Sequence, residues 1–327
     1  MKHKPTTHPN HSNVDQYLSA ANRVNTTKSY LSAVEHFEVH WGGMLPSTSD
    51  QIAQYLADFA PTLSVNTLKQ RLSALAVWHK EHGFPDPTKA PHVKKVLKGI
   101  NRIHAKPVKQ ARPLLLEELQ AVIEYLDDVI QAERASSNTQ QSAVLLQATR
   151  NKALLLLGFW RAFRSDELVN SFVEHINARA GEGMEIYLPH SKTDHKNEGK
   201  TFRVPALKML CPVDAYLDWI YTAQLNSGPV FRSIDRWGKV SEQSLHSASV
   251  INIIKNCCAN ANIENAHFFT SHSLRRGFAT WANEQNWEMK ALMEYVGWRD
   301  IKSALRYIEL KDPFGNLSIS NQHLLDN

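Results

Sequence analysis

The 327-residue sequence predicts a mainly α-helical protein with one small antiparallel β-sheet, divided into two domains. Length is the first indication, because a single hydrophobic core rarely serves so many residues. The second is that apolar residues recur at helical spacing through most of the chain. The third is a change of period near Met184, where M-E-I-Y-L-P and later T-F-R-V-P alternate as strands do.

The first predicted domain covers residues 13–103 and is helical throughout. Residues 1–12 precede it and are expected to be disordered, because they are polar and contain several His and Pro residues. Helices are expected to begin at Asn25–Thr27, in P-S-T-S-D, at Asn66–Thr67 and near Pro91. Helical spacing predicts a core made of Tyr30, Leu31, Val34, Phe37, Trp41, Ile52, Tyr55, Leu56, Phe59, Leu68, Leu72, Leu75 and Trp78.

Basic residues are concentrated at the end of this domain and in the segment that follows it. No acidic residue stands between Asp86 and Glu117, and the whole chain carries a net charge of +5. One interpretation is a solvated linker; in a basic protein we favour a track along a phosphate backbone. The residues predicted to contact that backbone are Lys28, Lys69, Arg71, Lys94, Lys95, Lys98, Arg102, Lys106 and Lys109.

A basic linker with two prolines is predicted at residues 104–113, and a second domain at residues 114–327. Helices are expected to start at P-L-L-L-E-E-L and to cover residues 151–160, 207–224 and 245–258. The two alternating segments predict a hairpin around the polar loop S-K-T-D-H-K-N-E-G-K. A further short strand is expected at residues 229–231.

The last stretch of the second domain, residues 272–307, carries polar residues that its helices do not need for burial. In the first of these helices His272 and Arg275 share one face and the apolar residues another, and Tyr307 lies off the apolar stripe of the last. Each polar residue alone has an ordinary explanation as a cap or a surface residue. The residues expected to be buried are Leu274, Phe278, Trp281, Ile301, Leu305 and Ile308.

Several classes of protein are excluded or disfavoured by composition. No apolar run reaches the ~20 residues that a membrane helix needs, and the N-terminus has no apolar signal region. The cysteines Cys211, Cys257 and Cys258 are an odd number in a long chain, which favours a reducing cytoplasm over a disulfide framework. No C-x-x-C or H-E-x-x-H motif is present, so a metal site is not expected.

Five motifs occur in a fixed order along the second domain. They are R-S-D-E-L, a lysine in the hairpin loop, H-S-L-R, G-W and a tyrosine. In this order and spacing, behind a basic helical domain, the chain resembles the tyrosine recombinase (phage integrase) family over nearly its whole length. The resemblance implies a C-shaped clamp around double-stranded DNA, built from a helical SAM-like core-binding domain and an α+β catalytic domain.

The resemblance matches individual residues to catalytic roles. Arg164 corresponds to the first catalytic arginine, because E-L follows it at the family's spacing; Arg161 is the competing candidate. Glu167 corresponds to the acidic residue that supports this arginine. The hairpin lysine is matched by Lys192, with Lys196 and Lys200 as alternatives.

The remaining matches fall in the last stretch of the domain. His272 and Arg275 correspond to the H-x-x-R motif, with Arg276 as an adjacent alternative. Trp298 stands where most members of the family have histidine, a departure that the Cre recombinase shares. Tyr307 corresponds to the nucleophile.

The chemistry of phosphoryl transfer suits these residue types. Two arginines can clamp the non-bridging oxygens of a phosphate as charge builds up during attack. A phenol with a pKa of ~10 needs a base, for which His272 is the natural choice, and the leaving 5′ oxygen needs a proton, which Lys192 can supply. Trp298 can donate a hydrogen bond but cannot act as an acid or base. Since a 3′-phosphotyrosine preserves the bond energy, neither ATP, a metal nor another cofactor is expected.

The resemblance also implies partners. A tetramer on DNA is expected, with the apolar residues of the C-terminal tail docking on a neighbouring subunit, and a second recombinase or accessory protein can take part. The helical pattern begins near residue 13, which favours a simple-site recombinase of the Cre and Xer kind, acting in the cytoplasm at the nucleoid. Two alternatives stay open: a type IB topoisomerase and a catalytically inactive DNA-binding accessory protein.

Overall fold

The computed structural model describes residues 24–106, 110–136, 142–189 and 199–305, together with Tyr17. Within these ranges the protein is mainly helical with two small antiparallel sheets, which confirms the predicted fold class. The chain divides into two compact units, residues 1–109 and 110–327. The described residues exclude Tyr307, Lys192, Lys196, Lys109, Ile308 and the C-terminal tail.

The first unit consists of helices that begin at identifiable caps. Thr48 and Gln51 form a reciprocal capping box, and Ser64 accepts a hydrogen bond from the Thr67 backbone N–H. The third helix therefore starts one residue earlier than the predicted Asn66–Thr67. The elements are α1 (Val24–Glu35), a π-helical turn (His36–His40), α2 (Ser49–Phe59), α3 (Val65–Glu81), a 3₁₀ turn (Pro87–Lys89) and α4 (Pro91–His104).

The core of the first unit follows the predicted apolar pattern with one clear error. Leu31, which was expected to be buried, is 64% exposed. Ala33 on α1 and Phe37 on the π-helical turn that continues it, four residues apart, face the core. Leu31, two positions before Ala33, points to the other side of the helix. The first-unit core consists of Phe37, Ile52, Tyr55, Leu56, Ala60, Val65, Leu68, Leu75, Val93 and Ile100.

The second unit places helices around two small sheets. Its helices are α5 (Leu116–Ala135), α6 (Ala143–Trp160), α7 (Ser165–Val169), α8 (Pro212–Thr222), α9 (Ser247–Asn260), α10 (Ser271–Glu284), α11 (Met289–Val296) and α12 (Ile301–Leu305). Its strands are β1 (Ile176–Arg179), β2 (Gly183–Leu188), β3 (Lys200–Pro205), β4 (Arg232–Ile234) and β5 (Val240–Ser244). The unit also contains 3₁₀ turns at Val173–His175 and Ala266–Phe268 and an isolated β-bridge between Phe172 and Pro229.

The predicted hairpin is present as β2 and β3, with Ile186 opposite Phe202. The sequence did not predict β1, which pairs with β2 to complete a three-stranded sheet, or the separate β4–β5 pair. The strand expected at residues 229–231 begins instead at Arg232. The helix expected from residue 207 starts at Pro212, which suits a first helical turn because proline there loses no intrahelical hydrogen bond.

The apolar helix α6 lies at the centre of the second unit, with Leu154, Leu155, Leu156 and Leu157 fully buried. Helix α10 packs against it: Gly158 on α6 faces Leu274, and Gly277 on α10 lies against the backbone of Leu114. A Cβ atom at position 277 would stand 1.8 Å from the Leu114 carbonyl oxygen, so this contact requires glycine. The close packing fixes α10 in place.

The end of the described chain differs from the predicted pattern. In α12 Ala304 is fully buried, whereas Ile301 is 53% and Leu305 55% exposed, so the predicted apolar stripe is wrong. Ala304 is the residue that fits against the domain core. None of the helices in the described ranges combines the length and apolar character needed to cross a membrane.

Candidate active site

Arg164 stands at the N-terminal cap of the short helix α7 and is held there by Glu167. The Arg164 backbone N–H donates to Glu167 Oε2 at 2.8 Å, and Arg164 Nη1 donates to Oε1 of the same carboxylate at 2.8 Å. Arg164 is therefore the N-cap residue of α7. Glu167 is itself buried, so its carboxylate orients the guanidinium without sharing it with water.

Helix α10 begins with a capping box between Thr270 and Ser273. The His272 backbone N–H donates to Thr270 Oγ1 at 3.1 Å, and its side chain is exposed in the first turn of the helix. One turn later the helix carries Arg275. The histidine thus reaches the surface at the end of a helix that is otherwise buried almost completely from Ser273 to Ala282.

Arg275 does not lie off the core, as its position opposite the apolar stripe had suggested. It is 1% exposed, and its guanidinium donates to two backbone carbonyls, Ala162 O at 2.6 Å and Val296 O at 2.9 Å. Hydrogen bonds to carbonyls lower the cost of burying the charge. Helical periodicity predicts burial only for apolar residues, so it did not predict that this arginine is buried. The side chain ties the loop before Arg164 to the end of α11.

Trp298 is brought beside Arg275 by a tight helix end. Gly297 adopts a left-handed conformation, with φ of 76°, and terminates α11, after which the Trp298 backbone N–H donates to Met293 O at 2.8 Å. The indole is 8% exposed, and the Arg275 Cζ atom lies 5.4 Å from its ring centroid. The predicted Arg275 and Trp298 are therefore neighbours.

The described residues assemble part of the predicted site. Arg164 and Arg275 are linked through the loop at Ala162, and Trp298 contacts Arg275. Lys192 and Tyr307 lie outside the described residues. Of the alternative lysines, Lys200 is described: it is exposed at the start of β3 with its Nζ 5.2 Å from the centroid of the Phe202 ring.

The two competing arginines have different surroundings. Arg276 is buried and donates to Gln110 Oε1, which fastens α10 to the start of the unit. Arg161 is buried at the end of α6, with its Cζ 4.0 Å from the ring centroid of Tyr295 and 4.6 Å from that of Phe202. Sequence reasoning weighed Arg161 as a rival of Arg164 and did not predict these ring contacts. The apolar G-F-W before it was a signal for its burial.

In the first unit, three of the residues predicted to contact a phosphate backbone form an exposed stripe on α4. Lys94, Lys98 and Arg102 stand at i, i+4 and i+8 and are exposed, opposite the buried Val93 and Ile100. We refer to Lys94, Lys98 and Arg102 as the α4 basic stripe. Lys28, Lys69, Lys95 and Lys106 are exposed as well.

Arg71 differs from the other basic residues predicted to contact a phosphate backbone. It is half-buried, and its Nη1 donates to the Tyr55 hydroxyl at 3.1 Å. This guanidinium therefore has a partner within its own unit. Across the described ranges, no group of three or more His, Cys, Asp or Glu side chains is arranged to hold a metal ion.

Comparisons with known proteins bear on what this site does. The model of the phage integrase family matches residues 108–313. An integrase/recombinase described as a xerD homolog from Selenomonas ruminantium is 30% identical over 308 residues, covering 91% of this chain and 85% of that protein. Both matches include the segments that carry Arg164, His272, Arg275 and Trp298.

Solved structures share the fold at low identity. XerH recombinase in a post-cleavage complex with a palindromic difH substrate has a TM-score of 0.59 at 15% identity, over 91% of this chain and 79% of that one. The Tn1549 transposon integrase with transposon right end DNA has a TM-score of 0.59 at 14% identity, over 95% and 98%. A lambda integrase dimer on a COC′ core site has a TM-score of 0.56 at 16% identity, over 93% and 96%.

Proposed function

Because the chain belongs to the phage integrase family of tyrosine recombinases, we propose that it cuts and rejoins double-stranded DNA through a 3′-phosphotyrosine formed by Tyr307. The protein is a tyrosine site-specific recombinase. The observation that best supports the assignment of its residues is the environment of Arg275, which is buried, doubly anchored to backbone carbonyls and in contact with Trp298. A side chain fixed in this way is suited to meet a phosphate without reorganising.

Arg164 and Arg275 are the proposed phosphate clamp. Each guanidinium is held from within the protein, Arg164 by the Glu167 carboxylate and Arg275 by the Ala162 carbonyl. The N–H donors of an arginine form a rigid, planar fork. These two guanidinium groups would hold the non-bridging oxygens of the scissile phosphate. Such preorganised donors stabilise the charge that develops as the tyrosine oxygen attacks.

The proton transfers are assigned to exposed groups. His272, at the first turn of α10, would take the proton of the Tyr307 hydroxyl, since an imidazole titrates near neutral pH. Lys192 would protonate the departing 5′ oxygen, with Lys200 and Lys196 as alternatives in the same hairpin. Trp298 would donate its indole N–H to the phosphate. Attack breaks the bond between phosphorus and the 5′ oxygen and forms one to the tyrosine oxygen, so no other reactant is consumed.

The first unit is the proposed core-binding domain, and residues 114–327 the catalytic domain. The α4 basic stripe would follow the phosphate backbone, because it presents three positive charges on one exposed helical face. Together the two units would clamp the duplex. DNA is the partner named for the XerH, Tn1549 and lambda integrase structures that share this fold.

On DNA we propose a tetramer in which the C-terminal tail of each subunit docks on its neighbour. The biological outcome would be the integration, excision or resolution of a mobile element, plasmid or replicon at a simple site. A second recombinase or an accessory protein can take part in such reactions. The proposed substrate would bring the enzyme to the nucleoid in the cytoplasm.

Covalent trapping tests this proposal directly. DNA flanking the gene is fragmented, incubated with the protein and denatured, and the fragments that stay covalently attached are sequenced. Duplexes with a nick beside the mapped site then measure cleavage, because loss of a short fragment prevents religation. Wild type is expected to form an adduct and Tyr307→Phe none.

The matched control for this experiment is Tyr221→Phe, which removes the hydroxyl of an 84% exposed tyrosine on α8. It should cleave as wild type does. An adduct with Tyr307→Phe, or no adduct with wild type, would sink the assignment. A plasmid carrying two sites separates recombination, which changes the connection of the flanking sequences, from simple relaxation of supercoils.

A further inference from the structure

The guanidinium of Arg161 is buried between two aromatic rings. The residue is 5% exposed, with Tyr295 at 4.0 Å and Phe202 at 4.6 Å from its Cζ to the ring centroids. Its Nε and Nη1 atoms have no hydrogen-bond partner among the described residues. Burial lowers the pKa of Arg161, a shift that the nearby Tyr295 opposes. The ring faces therefore replace part of the hydration that this cation loses.

The two rings belong to segments that lead to different parts of the proposed site. Phe202 lies on β3, the strand that follows the loop containing Lys192. Tyr295 lies on α11, three residues before Trp298, and its hydroxyl donates to the Trp160 carbonyl at 2.7 Å. Arg161 itself directly precedes Ala162, whose carbonyl accepts a hydrogen bond from Arg275.

The contacts of Arg161 differ from those of the two arginines assigned to the phosphate. Its guanidinium packs on the rings of Tyr295 and Phe202. The Arg275 guanidinium lies beside Trp298, and Arg164 is bonded to Glu167 with 23% of its side chain exposed. Arg161 is therefore suited to holding other groups in position.

We propose that Arg161 is a positioning residue whose cation–π contacts couple the β2–β3 hairpin to the segment that starts at α11. On one side this fixes the strand that follows the lysine-bearing loop; on the other it fixes the helix end that presents Trp298 to Arg275. The proposal rests on the proposed function, because it concerns the alignment of those groups for cleavage. The cation is essential to it, since an uncharged chain of equal size would fill the space without attracting either ring.

The test compares Arg161→Met, which keeps an unbranched chain, with Arg161→Lys, which keeps a cation. Each is measured for its DNA dissociation constant, its Tm and its single-turnover cleavage rate on nicked duplex at saturating protein. We expect Arg161→Met to cleave about tenfold more slowly while DNA affinity changes by less than about twofold, because without the cation–π contacts the strand and the helix end are less well aligned. Arg161→Lys should recover a large part of that rate.

A buried arginine with a purely structural setting supplies the control. Arg150 is 7% exposed, and its Nη1 donates to the Arg232 carbonyl at 3.0 Å, away from the residues assigned to the site. Arg150→Met should lower the Tm and leave the cleavage rate of the folded protein unchanged. If Arg161→Met behaves in the same way, with a lower Tm and normal cleavage, the positioning role is overturned.

A double-mutant cycle with Phe202→Leu checks the coupling itself. If Arg161 acts through the Phe202 ring, the double variant should cleave no more slowly than the slower single variant. Fully additive losses in cleavage would contradict the proposal. Absence of any adduct with wild type would instead remove the proposed function and this proposal with it, so the two failures are distinguishable.

Discussion

At the scale of single residues, the pairs Arg164–Glu167 and Arg179–Glu182 have the same spacing and differ in burial. The first joins side chains that are 23% and 8% exposed at 2.8 Å, and the second side chains that are 68% and 69% exposed at 3.4 Å. An exposed ion pair contributes little to stability, whereas breaking a buried one leaves a charge without its partner. Burial therefore predicts that Glu167 contributes to stability and that Glu182 contributes little.

Glu167→Gln is expected to lower the free energy of unfolding by about 2 kcal/mol and to slow cleavage by about 100-fold. Both effects follow from the lost bond that orients Arg164. Urea unfolding and single-turnover cleavage measure them. Glu182→Gln is the matched control and should change neither. Equal effects from the two variants would contradict the role given to Glu167.

The buried thiols of α9 predict a stability that falls at alkaline pH. Burial raises the pKa of Cys257 from 9.0 to about 11 and that of Cys258 from 9.0 to about 12. A group with a raised pKa in the folded state stabilises fully below its unfolded pKa, and this contribution is lost as pH rises toward the folded value. Between pH 8 and pH 10 we expect a loss of about 1 kcal/mol for each thiol.

Urea unfolding at pH 8, 9 and 10 measures this loss, and Cys257→Ala/Cys258→Ala is the comparison. The double variant is less stable at pH 8, but its stability should change less between pH 8 and pH 10. Parallel pH profiles for the two proteins would contradict the prediction.

The sequence named candidate site residues but did not predict their surroundings. The order of motifs singled out Arg164, Arg275 and Trp298, and the structure brings Arg275 and Trp298 together. It could not predict that Arg275 is buried, because the carbonyls that accept its hydrogen bonds come from residues 113 and 21 positions away. Such contacts depend on tertiary packing and leave no local pattern.

At the scale of secondary-structure elements, two helical glycines stand in opposite environments. Gly277 on α10 faces the Leu114 carbonyl oxygen, 1.8 Å from where a Cβ would be, while Gly99 on α4 has nothing within 4 Å of that position. Alanine is otherwise favoured over glycine in a helix. The two positions therefore predict opposite responses to the same substitution.

Gly277→Ala is expected to destabilise the protein by about 3 kcal/mol, because the backbone of α10 or of Leu114 must move to admit the methyl group. Since α10 carries His272 and Arg275, cleavage should fall as well. Gly99→Ala should instead stabilise by about 0.5–1 kcal/mol. Urea unfolding measures the free energy of unfolding of both variants. A Gly277→Ala variant as stable as wild type would contradict the packing argument.

The elements that the sequence missed are short or weakly apolar. β1 reads I-N-A-R and β5 reads V-S-E-Q-S, and such strands are held by their pairing partners more than by their own composition. In α12 the buried residue is Ala304, which gives a weaker apolar signal than the exposed Ile301 and Leu305. Long helices with strong apolar patterns were predicted because their burial shows in their own sequence. Even so, the sequence predicted only residues 151–160 of α6 and missed its first two turns, from Ala143 to Arg150.

At the scale of the whole molecule, the positive charge predicted for DNA binding is concentrated in the first unit. The α4 basic stripe is exposed, and the opposite face of α4 is occupied by Val93 and Ile100 in the first-unit core. Alanine substitution of stripe residues therefore removes charge without disturbing packing. If the stripe follows the phosphate backbone, each lost contact also makes DNA binding less dependent on salt, because fewer counterions are released.

Lys94→Ala/Lys98→Ala is expected to weaken DNA binding and to reduce the slope of log K against log salt by about 1.8, since each phosphate contact contributes about 0.9. Lys208→Ala/Lys290→Ala removes the same charge from exposed positions of the second unit and is the matched control. This control should change the slope far less, because counterions leave the DNA only where a basic side chain contacts a phosphate. Fluorescence anisotropy on one duplex from 50 to 200 mM salt measures both slopes. Equal slopes for the two variants would mean that the stripe contributes general charge and contacts no phosphate.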